Sequence, residues 1–289
     1  MISRKPRPMT VAIAALALSC VAAGLVFAQQ RGWGGRGYQR DVSERNGVPD
    51  WEVDPAFKKD LFTFVRVRYS SYGGRGYGRR GGVDWATDYP DSDLNFSFRL
   101  QQLTSLKVDP QPKVLELTDD ALFDYPFIYM IEPGNLEFEE EEVVALRRYL
   151  TNGGFMMVDD FWGDDEYENF HGQMKRVFPD PKQEPVELDI SHEIFNCVYH
   201  LKEKPQVPSI GRAYSGRASG TTWERSDARE VHFKAIYDDK NRIMVIICHN
   251  TDLGDGWEQE GADEWYFKEF AEKKSYPMGI NIVFYAMTH

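Results

Sequence analysis

The chain has 289 residues and a formal net charge of −12, from 46 Asp and Glu against 34 Lys and Arg. That length suits one large domain better than two. An acidic body lacks the basic surface that nucleic-acid phosphates require, so no nucleic-acid partner is expected; it suits solubility, a cationic partner or a divalent metal.

Residues 1–28 read as a targeting segment. Arg4, Lys5 and Arg7 precede an apolar run from Met9 to Phe27, and Ala28 supplies a small residue before a cleavage point. Two readings stay open: a cleaved signal peptide, which the small residue favours, and an uncleaved N-terminal anchor, which the length of the run allows. Either one exports the rest of the chain to a periplasmic or extracellular place, with membrane contact only through residues 9–27 if they are retained. Loss of the three leader cations takes the formal charge from −12 to −15. Residues 29–50 are rich in Gly and Arg and read as a flexible tether. A second Gly/Arg tract at 70–82 reads as a mobile loop inside a single domain at 51–289, its arginines facing acidic groups. Behind an export signal, Cys197 and Cys248 could pair, but burial as two free thiols is favoured.

Leu61 to Tyr69 alternates and is rich in β-formers, which predicts the first strand. Pro90 with Asp91 or Ser92 starts a helix whose inner face is Phe96, Leu100, Leu103 and Leu106. Strands follow at Lys113 to Leu117 and Phe127 to Ile131. The next helix, about 138–151, opens on Glu139 to Glu142, whose charge suits a helix N-terminus, and ends at Gly153. Phe155 to Val158 is the fourth strand; the continuous apolar run Phe127 to Ile131 implies burial on both faces and hence a parallel sheet covered by helices. A helix from Asp164 to Phe178, a short strand about Val186 and a hairpin of Val231–Tyr237 with Arg242–Cys248 come next. His249 to Trp257 reads as a loop, and helices close the chain near 263–273 and from Ile280. Alternating strands and helices give an α/β fold, three-layered and doubly wound on a mainly parallel sheet.

Several stretches carry a family resemblance: Trp85 with Asp88-Tyr-Pro90, Tyr125 to Tyr129, Leu146 to Leu150, Gly153 to Asp160, Asn250 to Trp257 and Gly279 to Ile282. The chain resembles an uncharacterised exported bacterial domain family built like the class I glutamine amidotransferases, a flavodoxin-like arrangement. Those enzymes keep a nucleophilic cysteine after the strand equivalent to Phe155–Val158. Here the strand runs into Asp159 and Asp160, and no glutaminase activity is expected. Cys248 and His249 cannot stand in, because neighbours on a strand point to opposite faces.

In open α/β sheets, ligands bind beyond the carboxyl ends of the strands. The polar residues expected there are Tyr69, Asp119, Asp120, Glu132, Asp159, Asp160, His249, Asn250 and Asp252. Asp159, Asp160 and Asp252 are candidate ligands for Mg²⁺ or Ca²⁺, or an acid/base set; the competing reading makes one of Asp159 and Asp160 a helix cap. His192 is a candidate by residue type. Trp85, Trp162, Trp223 and Trp257 fall in loops, where rings could stack on sugars, although most loop aromatics are packing residues. No cofactor is expected beyond such a divalent cation. The expected function is non-catalytic binding of an envelope protein or glycan. The alternative is a carboxylate- or metal-dependent hydrolase of an envelope glycan or related polymer.

Overall fold

Runs of β-branched and aromatic residues alternate with amphipathic helical stripes, and the chain folds accordingly. The computed structural model describes residues 45–57, 60–71 and 84–289. The leader, most of the tether and most of the second Gly/Arg tract lie outside them. Seven strands form one sheet: β1 (Val65–Arg68), β2 (Lys113–Glu116), β3 (Phe127–Ile131), β4 (Phe155–Asp159), β5 (Val186–Glu187), β6 (His232–Tyr237) and β7 (Ile243–His249). Their order is β2-β1-β3-β4-β7-β6-β5. The first five of that order run parallel; β6 is antiparallel to β7, and β5 to β6.

The helices are α1 (Asp91–Leu103), α2 (Glu140–Thr151), α3 (Gly163–Val177), α4 (Ile210–Gly216), α5 (Leu253–Glu258) and α6 (Tyr276–Thr288). Side chains alternate across the sheet, so β3 and β4 feed two separate cores. Phe127, Tyr129, Ile131, Phe155 and Met157 join Phe96 and Leu100 of α1 and Met278, Ile280 and Ile282 of α6. Ile128, Met130, Met156 and Val158 join Val143, Leu146 and Leu150 of α2 and Phe170, Met174 and Val177 of α3. Every residue of β3, β4 and β7 is buried, as their unbroken apolarity requires. The result is a mixed α/β fold with helices on both faces of a mostly parallel sheet. Helix α2 starts with the expected acids: the Glu139 N–H donates to the Glu142 carboxylate at 2.8 Å, and Gly153 follows the helix at a φ of 109°.

Some local expectations need correction. Helix α1 stops at Leu103, which is half exposed instead of joining the inner face. Residues 253–258 are helical, because Asp252 caps them by accepting the Asp255 N–H at 2.7 Å. The two closing helices are one run: Glu264–Tyr266 passes through a π-helical stretch, Phe267–Ser275, into α6. Pro277 has no N–H to return to the preceding turn, which accounts for the widened coil ahead of it. Cys197 and Cys248 are both free thiols; Cys248 is fully buried and Cys197 half-buried, with its Sγ 3.3 Å from the Asn281 carbonyl. Among the described residues no helix is long and apolar enough to cross a membrane.

Candidate metal centre

The parallel strands end together at one edge, and their order reverses between β1 and β3. Just beyond that edge Asp88, Glu132, Asp160 and Asn250 adopt left-handed backbone, with φ of 63°, 52°, 55° and 62°. Such conformations cost on the order of 1–3 kcal/mol each in a non-glycine residue and persist only where the surroundings enforce them.

Asp88 is enforced by Arg66. This β1 side chain is fully buried, and all five of its N–H groups find acceptors on the segment that carries Asp88. It donates to Asp93 through Nε and Nη2, to Ser92 Oγ at 2.9 Å, and to the carbonyls of Trp85 and Thr87 at 3.1 and 2.8 Å. Asp88 Oδ2 is itself shielded from solvent and has no hydrogen-bond partner. Close approach of α5 needs Gly254, because a Cβ there would lie 2.6 Å from Asp88 Oδ2 and 2.8 Å from Tyr129 Oη.

Strand β4 delivers the next two acids. Asp159 is fully buried; its Oδ2 accepts from Tyr129 Oη at 3.1 Å and from the Gly254 N–H at 2.9 Å, while Oδ1 has no partner. Asp160 turns the other way and accepts from Trp162 Nε1 at 3.0 Å. Neither caps α3. That helix is capped from elsewhere: Glu166 accepts from the Trp162 N–H, Asn250 from Gly163 and Asp227 from Asp164.

Asp88, Asp160 and Asp252 each place a carboxylate oxygen within 4.8 Å of the others. A second group of the same tightness contains Asp88, Asp255 and Glu258. Oxygens so spaced fit around one hard cation, whose bonds to oxygen run about 2.0–2.6 Å. Among the described residues, Arg66 is the cation that acts on Asp88, and burial and the neighbouring acids outweigh it. Burial raises the carboxyls of Asp88, Asp160 and Asp252 well above their ordinary value, and the neighbouring acids add to it. Burial likewise lifts Asp159 to about 7, Asp255 to about 6 and Glu132 to about 8, the last with Glu166 and Asp84 adding. A divalent cation is the chemistry that would let such a group ionise together.

The expected site residues divide clearly. Asp160 and Asp252 converge, whereas Asp159 stands beside them, tied to Tyr129 and Gly254. Asn250 is a brace: its amide accepts from the Gly163 N–H at 2.8 Å and donates to the Glu230 carbonyl at 2.8 Å. His192 belongs to the opposite end of the sheet. It caps a short turn through Ile194 and lies 3.5 Å from Tyr237, which pairs with the first residue of β7. Asp119 and Asp120 follow the edge strand β2; Asp119 binds the Glu116 N–H, and Asp120 is exposed. His249 packs between Phe161, Tyr167 and His232, with Nε2 3.0 Å from the Gly163 carbonyl, and burial holds its ring down at about 4, so it is neutral.

The tryptophans are mostly packing residues. Trp257 is completely buried, its ring 4.4 Å from Phe96, and Trp85 and Trp162 are buried as well. Trp223 is half exposed beside Arg229. Burial leaves Trp85, Trp162 and Trp257 little ring face to offer a sugar.

Asp88, Asp255, Glu258 and Arg66 were not among the predicted site residues. Asp252, Asp255 and Glu258 recur at i, i+3 and i+6, the spacing of one helix face, a signal hidden while the segment reads as a loop. Arg66 sits in an alternating strand where a cation looks solvent-facing.

Comparison with curated proteins finds no match. The profile of a family described as a domain of unknown function, DUF4159, matches residues 63–287, a stretch that contains all seven strands and both acid groups, and the chain belongs to that family.

Proposed function

We propose that this domain works outside the cytoplasm as a non-catalytic binding module whose acid edge holds a divalent cation, through which it grips an oxygen-rich ligand on an envelope glycan or protein. One observation carries the reading: Asp88, Asp160 and Asp252 come from three separate chain segments, yet their oxygens lie within 4.8 Å of one another. Holding three acids together without a counter-ion is costly. A cation of oxygen-ligand preference offsets that cost, and its remaining coordination positions are open to a ligand. The leader pattern at residues 1–28 supports export. The parallel order β2-β1-β3-β4-β7 supports the amidotransferase-like, flavodoxin-like reading of the fold, with acids where that scaffold keeps a thiol.

The test is calorimetric titration of purified full-length chain, stripped with EDTA, against Ca²⁺, Mg²⁺ and Mn²⁺. At least one ion should bind, and both Asp160→Asn and Asp252→Asn should weaken it. Absence of binding by all three at millimolar concentration overturns the proposal.

A second reading, a metal-dependent hydrolase, is favoured by Asp160 itself. A non-glycine residue in left-handed backbone between a strand and a helix is the kind of strain that clusters at reactive positions. Turnover of envelope-glycan fragments by the ion-loaded chain, lost in Asp160→Asn, would establish it; binding without turnover leaves the module non-catalytic.

A further inference from the structure

The cation-binding reading rests on one acid group, but Asp88 belongs to two. We infer that the edge is a binuclear centre, in which Asp88 bridges one divalent cation held with Asp160 and Asp252 and a second held with Asp255 and Glu258. The inference deepens the proposal above and depends on it.

Three observations carry it. First, both groups meet the same 4.8 Å limit and have only Asp88 in common. A shared carboxylate between two ligand sets is the arrangement of two-metal sites, where the ions sit about 3.5–4 Å apart. Second, the acids on either side of Asp88 are already oriented by hydrogen bonds, Asp160 and Asp252 through one oxygen. Asp160 Oδ1 takes the Trp162 indole N–H at 3.0 Å, and Asp252 Oδ1 takes the Asp255 N–H at 2.7 Å. Asp255 Oδ2 takes the Ile210 N–H at 2.7 Å and the Tyr266 hydroxyl at 2.8 Å, while its Oδ1 has the longer contact with Gln259 Nε2 at 3.4 Å. Hydrogen bonds of this kind fix a ligating group; those on Asp160 and Asp252 leave the second oxygen for the metal, and the long Gln259 contact on Asp255 is the one an ion would replace.

Third, the bridging residue carries an unmet demand. Asp88 Oδ2 is out of contact with solvent and has no donor, although its segment is fastened by every N–H of Arg66. Fully buried Asp159, beside it through Tyr129 and Gly254, also keeps an oxygen without a donor. Buried oxygens are normally paired, and an orphan points to a missing partner. Gly254 leaves the room: any side chain there would meet Asp88 Oδ2. Arg66 spends its hydrogen bonds on Asp93, Ser92 and the backbone of the segment; it positions Asp88 and attracts its charge from a distance, but gives Oδ2 no donor.

Manganese(II) alone is a suitable probe, because two carboxylate-bridged ions couple magnetically. The full-length chain, stripped and reloaded, should bind two Mn²⁺ and give an exchange-coupled electron paramagnetic resonance spectrum. Asp255→Asn and Glu258→Gln should each lower the affinity of one ion by about tenfold or more and leave the six-line signal of a single Mn²⁺. Asp252→Asn should remove the other ion, and Asp88→Asn should abolish the coupling. Glu258 is half exposed, so its variant reports even where a buried change impairs folding. One Mn²⁺ per chain, unaffected by Asp255→Asn and Glu258→Gln, overturns the bridge while the single-cation reading stands. Two ions without coupling overturn it as well. Binding of no ion overturns both.

Discussion

Replacing Asp159 by Asn in metal-free protein should relieve a pH-dependent penalty on the fold. Asp159 is fully buried, and burial holds its carboxyl up at about 7 against an ordinary 3.8, despite hydrogen bonds from Leu253, Gly254 and Tyr129 that favour the charge. In the unfolded chain the same group ionises near its ordinary value. Between those two values the folded state keeps a proton that the unfolded state has lost, so stability falls as pH rises through that window. The penalty is absent below pH 3.8, grows until about pH 7 and is constant above. The gap from 3.8 to about 7, at about 1.36 kcal/mol per pH unit, gives roughly 4 kcal/mol at pH 8. Asn preserves an acceptor for Tyr129 and Gly254, so the gain is not offset by a lost hydrogen bond. A domain of this size shifts its melting temperature by about 2–4 °C per kcal/mol. In EDTA, Asp159→Asn should therefore melt roughly 10 °C above the parent at pH 8 and close to it at pH 4, read by circular dichroism. An equal gap at both pH values, or a parent that is the more stable at pH 8, would refute the reasoning.

Arg66→Met should destabilise the fold by about 3–5 kcal/mol in urea unfolding, because Asp93 is left as an uncompensated buried charge; a change below 1 kcal/mol would contradict the central place given to this ion pair. Trp257→Ala should cost about 3–5 kcal/mol, as large core truncations do, and Asn95 should still find the backbone carbonyl it binds at 2.8 Å. Unchanged stability would mean that the ring is a surface contact after all. Gly254→Ala should weaken Mn²⁺ binding by displacing Asp88 and Tyr129, measured by titration; an unaltered affinity would remove the close approach of α5 from the account. Cation affinity should fall as pH drops through the range where the raised acids regain protons, since metal and proton compete for the same oxygens; affinity that is flat from pH 8 to pH 5 would count against them as ligands.

Much of the architecture could be read from local pattern. The apolar runs Phe127 to Ile131 and Phe155 to Val158 have no polar face, so burial on both sides follows from their composition. The Glu139 to Glu142 cluster before an apolar stripe likewise announces the start of α2. The site was harder because its residues are brought together by tertiary structure. Asp159 and Asp160 are adjacent in sequence, yet one is turned into the sheet edge and the other toward Asp88 and Asp252. Asp88 is fastened through its neighbours Trp85 and Thr87 by Arg66, 22 residues earlier in the chain, a link that no periodicity announces. Asp255 and Glu258 were legible only once residues 253–258 are seen as helical, and that helix is too short to declare itself. His192 and Asn250, singled out by residue type, are engaged with backbone, His192 with Ile194 and Asn250 with Gly163 and Glu230.

The central claim is that the acids gathered at the carboxyl edge of the sheet are a cation site. Its most direct test is the melting temperature of purified full-length chain at pH 7.5, in EDTA and then in excess Mn²⁺, Mg²⁺ or Ca²⁺. An ion bound only by the folded state at about 100 times its dissociation constant adds roughly 2.7 kcal/mol, which for a domain of this size is on the order of 5–10 °C. The account predicts a rise of that order with at least one ion, and its loss when Asp160→Asn and Asp252→Asn are combined. A melting temperature that no divalent cation moves, at any concentration up to the millimolar range, would contradict it.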